Sequence, residues 1–325
     1  MSDSAAARKS AEPQSLPIID FGPFLSGKSN ERAAVAAEIG AACEDVGFFY
    51  IKNHGVPAEL IERIDGQARA FFALPLEKKM AIPATRDHYR GYVASRALGR
   101  GQYGKPDLFE GFKMQLDLGP DDPDVRARKP LHQPNKWPAD LPEFRATVNE
   151  YWAAMTALSH ELLRAFALAL GEPEGTFLPS FRKPLTQLSL LHYVPEPDDA
   201  VEARFGINPH RDTGAFTILT QDNTGGLEVG RRGGGWIPAP YVEGAYLINI
   251  GDMIQRWTND RFVSTPHRVI NPARRDRISI PFFANADFDA VVTCLPSCCG
   301  PGNPARYPAL NVGEFMVERF SRNFD

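Results

Sequence analysis

The chain has 325 residues, 43% of them apolar and 23% charged, with a formal net charge of −4. That is the composition of a globular chain able to bury a large core, as one large domain or two small ones. The acidic balance and the lack of any Lys/Arg run argue against DNA, RNA or an anionic membrane as the main partner. No apolar run reaches the roughly 20 residues that a membrane span needs. The four cysteines, Cys43, Cys294, Cys298 and Cys299, are too few and too unevenly placed for a disulfide scaffold, and the adjacent pair has the wrong spacing for a zinc knuckle. Reduced thiols in a cytoplasmic protein are the expectation.

Residues 1–15 have no apolar core of signal-peptide type and are expected to be a disordered tail. Leu16-Pro-Ile-Ile-Asp20 reads as a short strand. Residues 30–46 follow with helical periodicity, Ala33, Val35, Ala36, Ile39 and Ala42 falling near one face. Phe48-Phe-Tyr-Ile51 is a buried-strand pattern closed by Asn53-His-Gly55, and a second helix is expected from Pro57 to Phe72. Residues 16–120 thus form an N-terminal α/β region whose last part, 83–118, is expected to be loops with short strands. Residues 120–142 hold several prolines and read as an irregular connection. The longest helical signal runs from Leu141 to Leu170, with Gly171 placed to end it, as a helix backing a sheet. Short β-rich runs at 185–194, 214–220, 226–229, 245–250, 261–271 and 277–284 then suggest a sandwich or barrel. A helical pattern from Val312 to Phe320 closes the chain, so that 121–325 reads as connection, backing helix, sheet domain and final helix in one compact unit.

Asn208-Pro-His-Arg-Asp212 contains a His-x-Asp. In an extended stretch, residues two apart point the same way, so His210 and Asp212 would face one cavity. The next histidine after Asp212 is His267. Two imidazoles and one carboxylate leave three coordination positions open, which is the ligand set of non-haem Fe(II) oxygenases. Ten residues on, Arg277 and Ser279 share a strand face, and a guanidinium with a hydroxyl suits a carboxylate. Tyr193, upstream, has a hydroxyl able to complete that receptor.

This ordered series resembles the 2-oxoglutarate/Fe(II) dioxygenases of the isopenicillin N synthase-like group, which includes plant flavonoid and gibberellin oxidases, fungal thymine hydroxylase and the bacterial ethylene-forming enzyme. The likeness covers nearly the whole chain. It is carried by Leu16–Phe21, Gly47–Gly55, Phe71–Pro75 with Glu77–Lys79, Asn208–Gly214, Leu219–Asp222, Gly225–Val229, Asn249–Asp252, Trp257–Asn259, Ser264–Val269 and Arg277-Ile-Ser279. It implies a mixed α/β, mainly β fold, with a double-stranded β-helix (jelly roll) core of about eight strands and metal at one mouth. It implies Fe(II) held by His210, Asp212 and His267, with 2-oxoglutarate and O2 as co-substrates. The far carboxylate of 2-oxoglutarate would meet Arg277, Ser279 and Tyr193. Hydroxylation of a small molecule, with release of succinate and CO2, is the implied reaction; desaturation and ring closure are variants of it.

Two departures bear on this. Many plant members have Asn two positions before the matching tyrosine, where this chain has Leu191. Some members of the wider group use Arg-x-Ser for other ends, so a same-fold iron oxidase that does not consume 2-oxoglutarate stays open, as does a non-catalytic ligand-binding protein. For the substrate, Arg90 and Tyr92 lie where relatives line the pocket entrance, and Phe216, Phe283 and Phe288 are candidate apolar wall. An inward Arg90 would select a substrate with a carboxylate or another acceptor. Tyr307 and the final helix are candidates for a lid, a clamp or a dimer contact. Monomer and homo-oligomer both stay open.

Overall fold

The computed structural model describes residues 15–95, 107–194, 205–270 and 275–322. The stretch expected to be a disordered tail falls outside them, save for its last residue.

The two apolar runs near the N-terminus form β1 (Ile18–Asp20) and β2 (Phe48–Lys52), which pair in parallel. A parallel pair needs a crossover. The helix Ser29–Asp45 supplies it, burying Val35, Ala36, Ile39, Ala42 and Cys43. After the helix Ala58–Phe72 come β3 (Gly91–Val93) and β4 (Glu110–Gln115). Downstream lie β5 (Gln187–Tyr193), β6 (Phe205–His210), β7 (Phe216–Gln221) and β8 (Leu227–Gly230). They are followed by β9 (Trp236–Pro238), β10 (Ala245–Ile250), β11 (His267–Ile270) and β12 (Arg277–Ala284).

These strands build two sheets. The larger has the order β1-β2-β10-β7-β12-β5-β4-β3 and the smaller β6-β11-β8-β9. Side-chain alternation along a strand sorts residues between the sheet's two faces. On β5, Leu188 and Leu190 join the core beneath the helices, whereas Leu191 and Tyr193 join Leu227, Val229, Ile237 and Val269 of the smaller sheet. The space between the sheets is therefore a second core, and the candidate site lies at its rim.

The helix Phe144–Ala169 backs the larger sheet, as its periodicity predicts. It buries Phe144, Val148, Tyr151, Met155, Leu158, Leu162 and Phe166 at steps of three and four. Phe166 meets Phe216 edge-on at 5.2 Å, and Trp152 meets Phe282 at 5.4 Å. Each such buried side chain contributes about 1.5–3 kcal/mol by transfer from water. Gly171, at φ +75°, ends the helix; the Glu172 N–H donates back to Ala167 O at 2.9 Å and that of Gly171 to Leu168 O at 3.0 Å.

Two expectations are corrected and one is given its bounds. Of the run 261–271, the described residues 261–270 are strand only at His267–Ile270. Pro266 has no N–H to give a ladder, and the preceding backbone bonds elsewhere: the Val263 N–H to Cys43 O and the Ser264 N–H to Gln255 Oε1. Within 83–118, expected as loops with short strands, β3 and the fully buried six-residue β4 supply the strands among the described residues, and the Glu, Lys and Gln of β4 hide its bounds. The irregular 120–142 contains one helical turn, Pro123–Arg126, begun by the Asp122 side chain accepting from the N–H groups of Asp124 and Val125.

Candidate active site

His210 ends β6 and His267 begins β11, and the antiparallel register sets them directly opposite each other. Asp212 lies in the turn just after β6. The ligand atoms of the three residues all fall within 4.8 Å of one another. Asp212 Oδ1 is 3.7 Å from Nε2 of His210 and 3.7 Å from Nε2 of His267.

The surroundings aim these atoms. His210 Nδ1 donates to Asn208 O at 2.8 Å and His267 Nδ1 to Thr265 O at 3.3 Å, which turns both Nε2 lone pairs toward the shared centre. Asp212 Oδ2 accepts from Thr217 Oγ1 at 2.5 Å and from Asn249 Nδ2 at 2.7 Å, leaving Oδ1 for the centre. The loop is pinned from below: the Asp252 N–H donates to Asp212 O at 2.8 Å and the Met253 N–H to Gly214 O at 3.0 Å. This packing is close enough that a Cβ on Gly251 would sit 2.2 Å from Gly214 O.

Electrostatics agree with a metal site. Burial, the neighbouring His210 and other nearby groups hold the His267 pKa down at about 4, so its imidazole is neutral at pH 7. Burial alone would push the Asp212 carboxyl up, but His267, His210 and the bonds from Asn249 and Thr217 outweigh it and keep the group ionised. Two imidazoles and an ionised carboxylate converging on one centre suit Fe(II), and the donor set fits that ion.

Arg277 and Tyr193 are cross-strand partners on β12 and β5. The Arg277 guanidinium lies over the Tyr193 ring at 4.6 Å, and the Ser279 hydroxyl is 3.4 Å from the Tyr193 hydroxyl. Arg277 is 1% exposed; its Nε donates to Gly225 O at 2.9 Å and its Nη2 reaches Gln221 Oε1 at 3.5 Å, but Nη1 has no partner. Among the described residues no carboxylate lies within ion-pair distance of it. A buried cation with an unused donor beside two hydroxyls has the chemistry to hold an anion. Burial raises the Tyr193 pKa despite the pull of Arg277, so its hydroxyl remains a donor.

The five residues expected to line a substrate pocket are not brought together. Phe283 is half-buried and belongs to the face of β12 turned to the second sheet, paired with Thr217 and Gln187. Arg90 is 2% exposed and donates from Nη2 to Gln115 Oε1 and Leu131 O, both at 2.7 Å. Tyr92 instead donates to Glu110 Oε2 at 2.6 Å and packs against Phe71, because its register with Phe112 turns it to the helix-covered face. Phe216 alternates with Thr217 and so faces the backing helix. Phe288 packs against His132 at 5.7 Å in a cavity of about 240 Å³ that includes none of the three converging residues. Tyr307 is clamped by donating to Asp260 Oδ1 at 2.6 Å. The residues that sequence reasoning missed are Thr217, Asn249, Gln221 and Gly251. Asn249 carried a signal, since a polar residue inside the apolar run Ala245–Ile250 must find a buried partner.

Residues 16–140 match the family model described as non-haem dioxygenase in morphine synthesis, N-terminal, and residues 185–286 match that of the 2OG-Fe(II) oxygenase superfamily. The chain is 37% identical over 318 residues to the 2-oxoglutarate-Fe(II) type oxidoreductase hxnY of Emericella nidulans, covering 96% of this chain and 91% of that one. It belongs to the 2OG-Fe(II) oxygenase superfamily. This oxygenase is also 36% identical to the Validamycin A dioxygenase of Streptomyces hygroscopicus subsp. limoneus, over 94% of its own length and 86% of the relative's. Among solved structures, a full-length Neurospora crassa protein in complex with alpha-KG and thymine superposes with a TM-score of 0.84 at 29% identity, covering 94% of this chain and 96% of that one. The two facing sheets are thus the jelly-roll core of a 2-oxoglutarate-dependent dioxygenase, an oxidoreductase that works with Fe(II), 2-oxoglutarate and O2 on a small molecule.

Proposed function

We propose that this dioxygenase hydroxylates a C–H bond of a small organic molecule, with His210, Asp212 and His267 holding Fe(II) and with Arg277, Ser279 and Tyr193 holding the far carboxylate of 2-oxoglutarate. The observation that carries this reading is the buried Arg277 Nη1, unpaired beside the Tyr193 and Ser279 hydroxyls in a chain that also converges two imidazoles and a carboxylate. When bound, the iron couples oxidative decarboxylation of 2-oxoglutarate, to succinate and CO2, to oxidation of the substrate.

The chain's own residues do the rest. Arg277 neutralises the distal carboxylate, and the two hydroxyls donate to it, fixing the co-substrate's depth between the sheets. Asn208 and Thr265 hold the imidazole tautomers, while Thr217 and Asn249 stop Asp212 from rotating. Leu191 and Val269 make the inner wall apolar, which excludes water from the reacting region. For location we propose the cytoplasm, a reading supported by four cysteines that form no disulfide.

The test is binding of 2-oxoglutarate to the Fe(II)-loaded protein without O2, measured by calorimetry in wild type and Arg277→Gln. Loss of about 1.5–3 kcal/mol, or roughly 10- to 100-fold in affinity, is expected for removing a charged hydrogen-bonding partner. Equal affinity in the two proteins refutes the assignment of Arg277.

A further inference from the structure

The larger sheet carries a second polar cluster that the reaction described so far leaves unused. The register runs one row of side chains straight across it: Asn249, Thr217, Phe283, Gln187 and Gln115 are successive cross-strand partners on β10, β7, β12, β5 and β4. Thr217 and Asn249 hold Asp212. Gln115 is three strands further on, about 14 Å away at the usual strand spacing. Lys113 and Ser189 form the adjacent pair on the same face.

Every polar member of this end is buried: Lys113 is 8% exposed, Gln115 3%, Gln187 5% and Ser189 1%. Their hydrogen bonding is incomplete. Arg90 spends Nη2 on Gln115 and Leu131, while its Nε and Nη1 have no partner. Gln115 Nε2 and Gln187 Oε1 are likewise buried and unpaired. Lys113 Nζ donates to the Tyr89 hydroxyl, and the Phe320 ring stacks on Tyr89 at 4.6 Å, closing this end with the final helix.

The charge has no close partner among the described residues either. Among the described residues no carboxylate lies within ion-pair distance of Arg90 or Lys113. Asp117, whose field reaches Arg90, is bound instead by Arg145 Nη2 at 2.7 Å. Burial lowers the Arg90 pKa only to about 10, so the guanidinium stays charged at neutral pH. Two buried cations with no carboxylate of the described residues in ion-pair reach, and donors without acceptors, are costly in a folded chain unless a ligand completes them.

We infer that Arg90, Lys113, Gln115 and Gln187 form the receptor for the substrate's acid group, so that the substrates are small organic acids bearing a hydroxyl or amino group for Gln187 Oε1. This rests on the oxygenase reading above and gives it a substrate class. The distance along the row places the oxidised carbon several bonds from the carboxylate. The register also explains why Phe283, midway along the row, faces the stretch between the two polar ends.

The test is calorimetry on the Fe(II)-loaded protein with 2-oxoglutarate, without O2, using a panel of small hydroxy and amino acids and the primary amide of each. At least one acid is expected to bind, with its amide about tenfold weaker or worse. Lys113→Met is expected to weaken that acid about tenfold or more, and to raise the melting temperature of the ligand-free protein by removing a buried unpaired charge. Should that variant not fold, Gln115→Glu supplies the missing anion from the chain itself: it is expected to raise the melting temperature and to abolish acid binding. Amides binding as well as acids, no acid binding at all, or variants that bind acids like wild type would each overturn the receptor. A water-filled structural cluster gives the last of these, with a lowered melting temperature for Lys113→Met. The 2-oxoglutarate titration in the same sample separates the two levels: binding of 2-oxoglutarate without any acid sinks the receptor alone, and binding of neither sinks the underlying reading.

Discussion

Thr217 and Asn249 show how the site depends on residues that never touch metal in the proposed arrangement. Both donate to Asp212 Oδ2, and without them the carboxylate is free to swing away from the two imidazoles. Replacing Thr217 with Val and Asn249 with Leu is expected to weaken Fe(II) or Mn(II) binding by about 10- to 100-fold, read by metal titration, with the fold kept by circular dichroism. Gly251→Ala makes a harsher demand. Its Cβ would meet Gly214 O at 2.2 Å and Asp212 O at 3.0 Å, so the metal loop must shift. A melting temperature lowered by several degrees together with weaker metal binding is expected; an unchanged affinity would show that the loop moves without carrying Asp212. At this scale the converging three were legible, because His-x-Asp and a later His are short-range or typed signals. The supporting shell was not, because nothing local in Phe216-Thr217-Ile218 says that Thr217 points to the metal loop and Phe216 to a helix. That is settled by the register of β7 against β10.

Among the elements, the long helix and most strands could be read from periodicity, because one face of each is buried and the pattern records it. The bounds of β4 escaped, since Glu110, Lys113 and Gln115 are polar yet buried, held by partners distant in sequence. Glu110 is a case in point: it accepts from Lys79 Nζ at 2.7 Å and Tyr92 at 2.6 Å, and contacts His192 Nδ1 at 2.8 Å. Phe166→Ala is expected to cost about 3–5 kcal/mol in chemical denaturation, since it empties the joint between helix and sheet. The turn after β2 carries a pH dependence. His54 is 8% exposed, its Nδ1 accepts from the Val56 N–H at 3.2 Å, and burial lowers its pKa to about 4. The unfolded value is near 6.5, so protonation favours the unfolded chain. Its contribution to stability is full above about pH 6.5 and is lost as the pH falls toward about 4. A His54→Asn variant should show a shallower stability loss across that interval; an identical slope would mean that His54 does not titrate there.

For the whole molecule, the oxygenase depends on two sheets bringing together residues from opposite ends of the sequence. Arg90 and Lys113 come from the N-terminal region, the converging three and Arg277 from the second half, and Phe320 from the last helix. The family and its reaction were legible because ordered motifs span the chain. Of the proposed acid receptor only Arg90 was singled out, because the rest is spread over β4 and β5 and is recognised only by what its atoms lack. The most direct measurement is succinate formation, followed by NMR after anaerobic Fe(II) loading and addition of 2-oxoglutarate and O2, in wild type and His210→Ala. Succinate from the wild type and none from His210→Ala is the expected result. Equal succinate from both proteins, or none from the wild type together with no 2-oxoglutarate binding to the iron-loaded chain, would contradict a catalytic iron held by His210, Asp212 and His267.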